Sequence, residues 1–285
     1  MERRIILSAD STCDIGPELR DRYQVHFLPF HIILDGTDHL DNVTITATEI
    51  FDAYKKDKLL PTTAAISVGE CVDYFRQWTD QGYEVIHINL GSSLSATYQN
   101  CCIAAEMLDG VYPIDSCNLS TGTGHLVAEA GKLIQEGEQS AAEIAQAVRG
   151  MTGKVHASFI LDTLTYLAAG GRCSTLAALG ANLLNLKPCI EVENDSGKMH
   201  VGKKYRGNLK EVLRRYVEDK LRAYPNIRKE RIFITYSTIS PELETMVRDI
   251  VEATMSFDEV FTTRASCTIS SHCGPNTLGI LFMTE

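Results

Sequence analysis

The chain has 285 residues, of which 44% are apolar and 22% charged, the composition of an ordinary globular protein large enough to bury a core and divide into two domains. Its 37 acidic and 27 basic residues give a net charge of −10, which argues against nucleic acid or a membrane surface as the partner of the whole molecule. No apolar stretch is long enough to span a bilayer and no signal peptide precedes the first strand, so we expect a cytoplasmic protein without stable membrane insertion.

The cysteine pattern indicates reduced thiols rather than a metal site. The nine cysteines are an odd number, lie in apolar runs such as those around Cys71 and Cys189, and include no Cys-x-x-Cys pair. We therefore expect no bound metal.

The first half of the chain alternates short strands with helices. Strands are predicted over residues 4–9, 25–34, 83–90 and 111–115, and helices over residues 17–22, 46–56, 67–78, 98–108, 121–134 and 140–150. Ser67 with Glu70, and Ser140 with Glu143, form capping boxes that mark two helix starts. Alternation with short connections predicts a mostly parallel sheet with helices on both faces, in an N-terminal α/β domain of residues 1–153.

The second half predicts an α/β domain of residues 154–285 with a mixed sheet. Strands are predicted over residues 156–161, 189–193, 199–202, 231–236, 259–263 and 278–283, and helices over residues 162–169, 174–184 and 209–223 and from Ser240 onward. The turn at 194–197 predicts an antiparallel hairpin, which makes the sheet mixed. Residues 270–276, which include His272, are predicted to form a loop.

A hydroxyl-rich loop follows the most apolar strand of the first half. Ser92, Ser93, Ser95 and Thr97 lie within six residues, between that strand and the next helix. Free backbone N–H groups and the positive end of the helix dipole favour an anion at such a place. Because the loop contains no acid, base or metal ligand, we expect it to hold a small acid rather than transform one.

A simpler explanation is that these hydroxyls only cap helices. One cap explains one hydroxyl, but it leaves the other three, and the additional pair Thr62 and Thr63 before another helix, without a role. The excess favours a ligand.

The remaining candidates each have a structural and a functional interpretation. His272 is either a satisfied loop histidine or a group that balances charge at a site. Arg172 follows a double glycine, which favours an exposed head group, and its simpler interpretation is a surface arginine. The basic run 203–206 is either a solvated strand end or a partner site. A nucleophile elbow would need Gly-x-Ser-x-Gly, whereas residues 91–95 lack the closing glycine, and no phosphate-binding Gly-x4-Gly-Lys motif occurs.

Seven motifs in order make the chain resemble the DegV family, the fatty-acid-binding proteins that form the acyl-carrying subunit of bacterial fatty acid kinase. They are Asp10-Ser-Thr-Cys-Asp14, Thr62-Thr63 with Ser67, residues 92–98, Asp115-Ser116, residues 162–172, residues 183–188 and residues 272–279. Each motif alone is weak, but their common order is specific.

The resemblance implies a two-domain DegV-like fold that holds one long-chain fatty acid between its domains. The implied carboxylate contacts are Thr62 or Thr63, Ser92 or Ser95, and His272; the implied docking positions for the kinase are Arg172 and Arg206. The protein would be a non-catalytic carrier in phospholipid metabolism, without a cofactor, that presents its lipid to an ATP-dependent fatty acid kinase.

Two alternatives belong to other classes. One is a serine-dependent acyl hydrolase or transferase with Ser92 or Ser95 as nucleophile. The other is a regulatory protein that senses a lipid or a small acid. The chain also departs from the family where it has Thr63-Ala-Ala-Ile-Ser67 in place of the common Thr-Ser-Gln-Pro-Ser, a change that removes polar groups near the implied head-group site.

Overall fold

The computed structural model describes residues 4–179 and 186–285. In the first half the elements are β1 Ile5–Asp10, α1 Gly16–Tyr23, β2 His26–Leu28, β3 His31–Leu34, β4 Thr37–Leu40, α2 Ala47–Asp57, β5 Thr62–Ala64, α3 Val68–Thr79, β6 Glu84–Asn89, α4 Thr97–Glu106, β7 Val111–Asp115, α5 Thr121–Glu136 and α6 Ala141–Arg149. In the second half they are β8 Val155–Ile160, α7 Thr165–Gly170, β9 Leu186–Val192, β10 Met199–Arg206, α8 Leu209–Ala223, β11 Ile227–Tyr236, α9 Pro241–Thr254, β12 Glu259–Arg264, α10 Cys267–Cys273 and β13 Leu278–Thr284. A 3-10 helix over Ser174–Leu179 follows α7.

The first sheet has the order β2-β1-β6-β7 and is parallel throughout, as the sequence predicts. Every residue of β6 is buried. Since successive side chains of a strand point to opposite faces, both faces of the sheet must be covered. The predicted capping boxes are also confirmed, because Ser67 and Ser140 each exchange hydrogen bonds with the glutamate three residues later at the starts of α3 and α6.

The second sheet has the order β10-β9-β8-β13-β11-β12 and is mixed, which confirms the predicted class of the C-terminal half. Only β11 and β12 are parallel among its described pairs, and β9 with β10 forms the predicted hairpin, in which Val201 pairs with Ile190.

A small antiparallel sheet, β4-β3-β5, corrects the sequence prediction in two places. The single strand predicted over residues 25–34 is two strands, because Pro29 between them has no N–H to donate to a ladder. β2 joins the parallel sheet, while β3 joins the small one. Thr62 and Thr63, for which the sequence predicted no strand, form β5, where Thr63 pairs with Ile32 of β3.

The predicted loop over residues 270–276 is also partly wrong, because its first residues belong to α10. The Ser266 hydroxyl accepts a hydrogen bond from the N–H of Ile269 and caps this helix, which places His272 in its last turn. Of the helix predicted over residues 174–184, the part beyond residue 179 lies outside the described residues.

One hydrophobic cluster joins the two large sheets. It includes Leu90 and Leu119 from the first half and Phe159 and Leu281 from the second. A separate cluster fills the space between the mixed sheet and α8 and α9. The boundary between residues 153 and 154 stays a prediction. Over the described residues, no helix is both long and apolar enough to cross a bilayer.

Candidate functional site

A cavity of about 260 Å³ lies where the strand ends of the parallel sheet meet the mixed sheet and α10. This volume is near the lower limit of ligand pockets, which is roughly 300 Å³. Its apolar lining comes from both halves: Phe30, Ala64, Ala65, Leu90, Leu94, Ala96, Leu119, Phe159, Leu167, Met199, Ala265, Ile269, Cys273, Gly279 and Leu281. Its polar lining is Thr63, Ser95, Ser120, Arg172, Thr235, Tyr236, Ser237, Thr268, His272 and Thr277.

Thr63 and His272 meet at this cavity. The Thr63 hydroxyl oxygen is 2.9 Å from Nε2 of His272, and both side chains line the cavity. β5 supplies the threonine and α10 the histidine. The pair is therefore assembled only when the small sheet packs against the helix.

The His272 imidazole is held in its neutral form. Burial, with a smaller contribution from the positive charge of Arg172, lowers the pKa of His272 to about 4. Its Nδ1 atom is buried and has no hydrogen-bond partner among residues 4–179 and 186–285. A Cβ atom placed on Gly170 would lie only 2.1 Å from this Nδ1, so a residue without a Cβ at this position makes room for the ring.

The serine loop contributes less than its sequence suggests. Of its four hydroxyl residues, Ser95 lines the cavity, and its Oγ accepts a hydrogen bond of 3.2 Å from the N–H of Thr97. Thr97 itself is fully buried and accepts a hydrogen bond from the N–H of Ile66, so it has a structural role. Ser92 and Ser93 are exposed and outside the cavity lining. The capping interpretation thus accounts for part of the excess.

Of the other sequence candidates, Arg172 lines the cavity, whereas Thr62 and Arg206 do not. Arg172 lines the cavity mouth, is exposed, and donates a hydrogen bond of 2.6 Å from Nη1 to the carbonyl oxygen of Gly170. Thr62 is exposed and outside the lining. Arg206 is exposed at the end of β10, an edge strand of the mixed sheet, and also lies outside the lining.

Buried aspartates near the cavity were missed as functional candidates. Asp10 accepts a hydrogen bond of 2.6 Å from the N–H of Leu90, which fixes the residue before the serine loop, and burial raises the pKa of Asp10 to about 6. Asp14 accepts from the hydroxyl of Ser120, at 2.6 Å. The sequence signal was the polar run after the first strand, but nothing in it indicated these distant partners.

The mouth of the cavity has an apolar rim. Ala64, Ala65 and Ala96 are exposed and also line the cavity. These include the alanines that replace the polar residues common in the family resemblance. The rim therefore adds no side-chain donors beside Thr63, Ser95, Arg172 and His272.

Ser95 and His272 do not form a nucleophile and base pair with each other. Among the described residues, the side-chain partner of Ser95 Oγ is Thr97, and that of His272 is Thr63. The same residues contain no group of three His, Cys, Asp or Glu side chains placed to hold a metal ion.

The sequence profile of the family described as "Uncharacterised protein, DegV family" matches residues 4–285. The chain belongs to the DegV family. This DegV protein is 29% identical to a DegV domain-containing protein of Clostridium acetobutylicum over 284 residues, which cover 99% of each chain.

Solved structures of two relatives have the same fold as this DegV protein. One is a DegV family protein from Thermus thermophilus, described by its fatty acid binding, with a TM-score of 0.87, 27% identity, and coverage of 99% of this chain and 100% of that one. The other is DegV of Bacillus subtilis, described as a fatty acid binding protein, with a TM-score of 0.83, 26% identity, and coverage of 99% and 100%. The fold expected from the sequence is confirmed.

Proposed function

We propose that this DegV protein binds one long-chain fatty acid, with its carboxylate at Thr63 and His272 and its alkyl tail in the apolar part of the cavity. The observation that carries the proposal is the Thr63–His272 pair, 2.9 Å apart at one cavity whose other lining is mostly apolar. The two solved relatives described as fatty acid binding support it.

The tail supplies the affinity in this proposal. Burying one methylene group is worth about 0.8 kcal/mol, so a sixteen-carbon chain contributes roughly 10 kcal/mol before the costs of association and ordering. Leu119, Phe159 and Leu281, from both large sheets, are among the side chains that would contact it.

The head group needs hydrogen-bond donors, because a buried carboxylate without them is costly. The hydroxyls of Ser95 and Thr63 supply donors without a fixed positive charge, and the neutral imidazole of His272 orients the Thr63 hydroxyl when its Nε2–H donates to that oxygen. Arg172 adds a guanidinium at the cavity mouth. Such a site binds the acid and leaves its carboxylate oxygen available for reaction.

In this proposal the reaction belongs to a second protein. An ATP-dependent fatty acid kinase would dock on the surface that includes Arg172 and Arg206, and a carboxylate oxygen would attack the γ-phosphorus of ATP to give acyl phosphate and ADP. The exposed rim of Ala64, Ala65 and Ala96 supports this, because it leaves the head-group end open to a partner. The carrier would work in the cytoplasm without a cofactor.

The alternative of a serine-dependent hydrolase or transferase has less support. A serine nucleophile needs a base within hydrogen-bond reach and a third group that orients this base. His272 instead contacts Thr63, and its Nδ1 has no partner among the described residues.

The deciding experiment identifies the molecule that co-purifies with the protein. Organic extraction and mass spectrometry are expected to give a long-chain fatty acid at about one per chain, and the delipidated protein should take up hexadecanoic acid again. If no alkyl carboxylic acid is found and none is taken up, the carrier function is excluded. Hydrolysis of a generic ester that disappears in Ser95→Ala would favour the enzyme instead.

A further inference from the structure

The start of α10 is held by side chains from the other end of the chain. Asp41 accepts hydrogen bonds from the N–H of Cys267 at 2.7 Å and from that of Thr268 at 3.3 Å, through a different oxygen for each. Asp14 accepts from the N–H of Ser266 at 2.8 Å. Two carboxylates thus bind the first N–H groups of a seven-residue helix, where its positive end favours negative charge.

Asp41 is also fixed to the sheet that contains Thr63. Its N–H donates to the carbonyl oxygen of Phe30 at 2.9 Å, and it directly follows β4, whose Leu40 pairs with His31 of β3. β3 in turn pairs with β5, in which Thr63 lies. One side chain, 1% exposed, therefore connects the strand that holds Thr63 to the helix that holds His272.

We infer that Asp41 is a positioning residue for the head-group site: it sets the place of His272 relative to Thr63 through α10. This inference rests on the proposed function, since Thr63 and His272, the pair that Asp41 positions, form the proposed carboxylate site. Asp41 is not itself a lining residue of the cavity, although its partners Phe30 and Thr268 are.

The arrangement requires a carboxylate at position 41. Besides the two N–H groups, the hydroxyl of Ser11 donates to it at 2.8 Å, so both oxygens accept and neither position suits a donor. In Asp41→Asn one oxygen becomes an NH₂ group that faces other donors. The side chain keeps its size, but α10 loses one of its attachments.

The test compares delipidated wild type, Asp41→Asn and a control, Glu129→Gln. Glu129 is another buried carboxylate, 5% exposed, whose partners are Arg228 and Arg231 rather than α10 or β5. Titration calorimetry with hexadecanoic acid should give a roughly 10- to 100-fold higher Kd for Asp41→Asn, the effect of losing hydrogen bonds to a charged group. Glu129→Gln should bind as the wild type does.

The second readout needs no lipid. In NMR titrations of the histidine rings, assigned with His272→Gln, the pKa of His272 is expected to be about 4 in the wild type, and it should move toward 6.5 in Asp41→Asn as the helix shifts and the ring gains water. Glu129→Gln, which removes a buried carboxylate that contacts neither α10 nor β5, should leave the pKa of His272 unchanged. If Asp41→Asn does not accumulate as folded protein, Ser11→Ala, which frees one oxygen of Asp41, should shift the same titration in the same direction.

The outcomes separate the two proposals. If wild type fails to bind any fatty acid while Asp41→Asn still moves the His272 titration, the proposed function is wrong and the positioning role holds. If Asp41→Asn, or Ser11→Ala in its place, leaves both the titration and the Kd at the values of Glu129→Gln, Asp41 does not position His272.

Discussion

The hydroxyl oxygen of Thr63 lies 2.9 Å from Nε2 of His272, although 209 positions separate the two residues in the chain. Neither residue is near the other in any local motif. Their contact depends on the pairing of β5 with β3 and on the anchoring of α10 by aspartates from the first half. The proposed head-group site is therefore a property of the assembled fold.

Removing either partner of this pair should weaken lipid binding. We expect His272→Gln and Thr63→Val to raise the Kd for hexadecanoic acid by roughly 2- to 10-fold, the effect of one neutral hydrogen bond, without loss of the circular dichroism of the folded protein. The matched control is Thr62→Val. This neighbour is exposed and outside the cavity lining, so its replacement should leave binding unchanged. Equal effects at positions 62 and 63 would argue against the site.

The serine loop offers a second matched pair. Ser95→Ala should weaken fatty acid retention several-fold, because its hydroxyl is at the cavity, whereas Ser92→Ala should not, because Ser92 is exposed outside it. Ligand content per chain after extensive washing measures both. Retention that depends on Ser92 and not on Ser95 would contradict the assignment.

Arg172 should matter for transfer more than for binding. Its side chain is exposed and donates to the carbonyl oxygen of Gly170, so Arg172→Ala is expected to keep the bound lipid and to slow acyl-phosphate formation with the proposed kinase partner at least tenfold. Hydroxylamine trapping of the acyl phosphate measures the rate. Arg222→Ala, at an arginine that is 71% exposed, serves as the control. An unchanged rate would make Arg172 an ordinary surface residue.

Stability should fall in acid because of His272. In the unfolded chain its imidazole takes up a proton near pH 6.5, but in the folded protein burial lowers its pKa to about 4. Between these values the unfolded state binds more protons, so the free energy of unfolding decreases as the pH falls from about 6.5 to about 4, by roughly 3 kcal/mol from this group. Urea unfolding at several pH values should show that the free energy of unfolding depends less steeply on pH in His272→Gln than in the wild type. An identical pH dependence would mean that His272 is not buried in the neutral form.

His31 should give the opposite dependence. Its Nδ1 is 2.9 Å from Asp38 and its Nε2 is 2.7 Å from Glu70, a geometry that only the doubly protonated ring satisfies, and its pKa is raised by these carboxylates against the opposing effect of burial. This stabilisation is complete below pH 6.5 and is lost as the pH rises through the folded-state pKa. His31→Gln should therefore lower the free energy of unfolding by about 1 kcal/mol at pH 6, a modest amount because both carboxylates are partly exposed. The loss should be smaller at pH 8.5, where the ring is less protonated. A larger loss of stability at the higher pH would contradict the ion pairs of His31 with Asp38 and Glu70.

Local patterns predicted most of the regular structure. The capping boxes at Ser67 and Ser140 and the buried strand β6 need only neighbouring residues to form, so the sequence reveals them. β5 and α10 were missed, because β5 exists only by pairing with β3, and α10 is a seven-residue helix whose attachments come from Asp14 and Asp41. The family motifs predicted Thr63, Ser95 and His272 as site residues. They could not distinguish Ser95, which lines the cavity, from Ser92, which is exposed outside it.

Gly170 has the strictest requirement near the proposed head group. Any side chain there would begin 2.1 Å from the His272 ring, in space that the ring already fills. A residue with a Cβ at position 170 would therefore have to displace the imidazole, and with it the contact between Nε2 and the Thr63 hydroxyl.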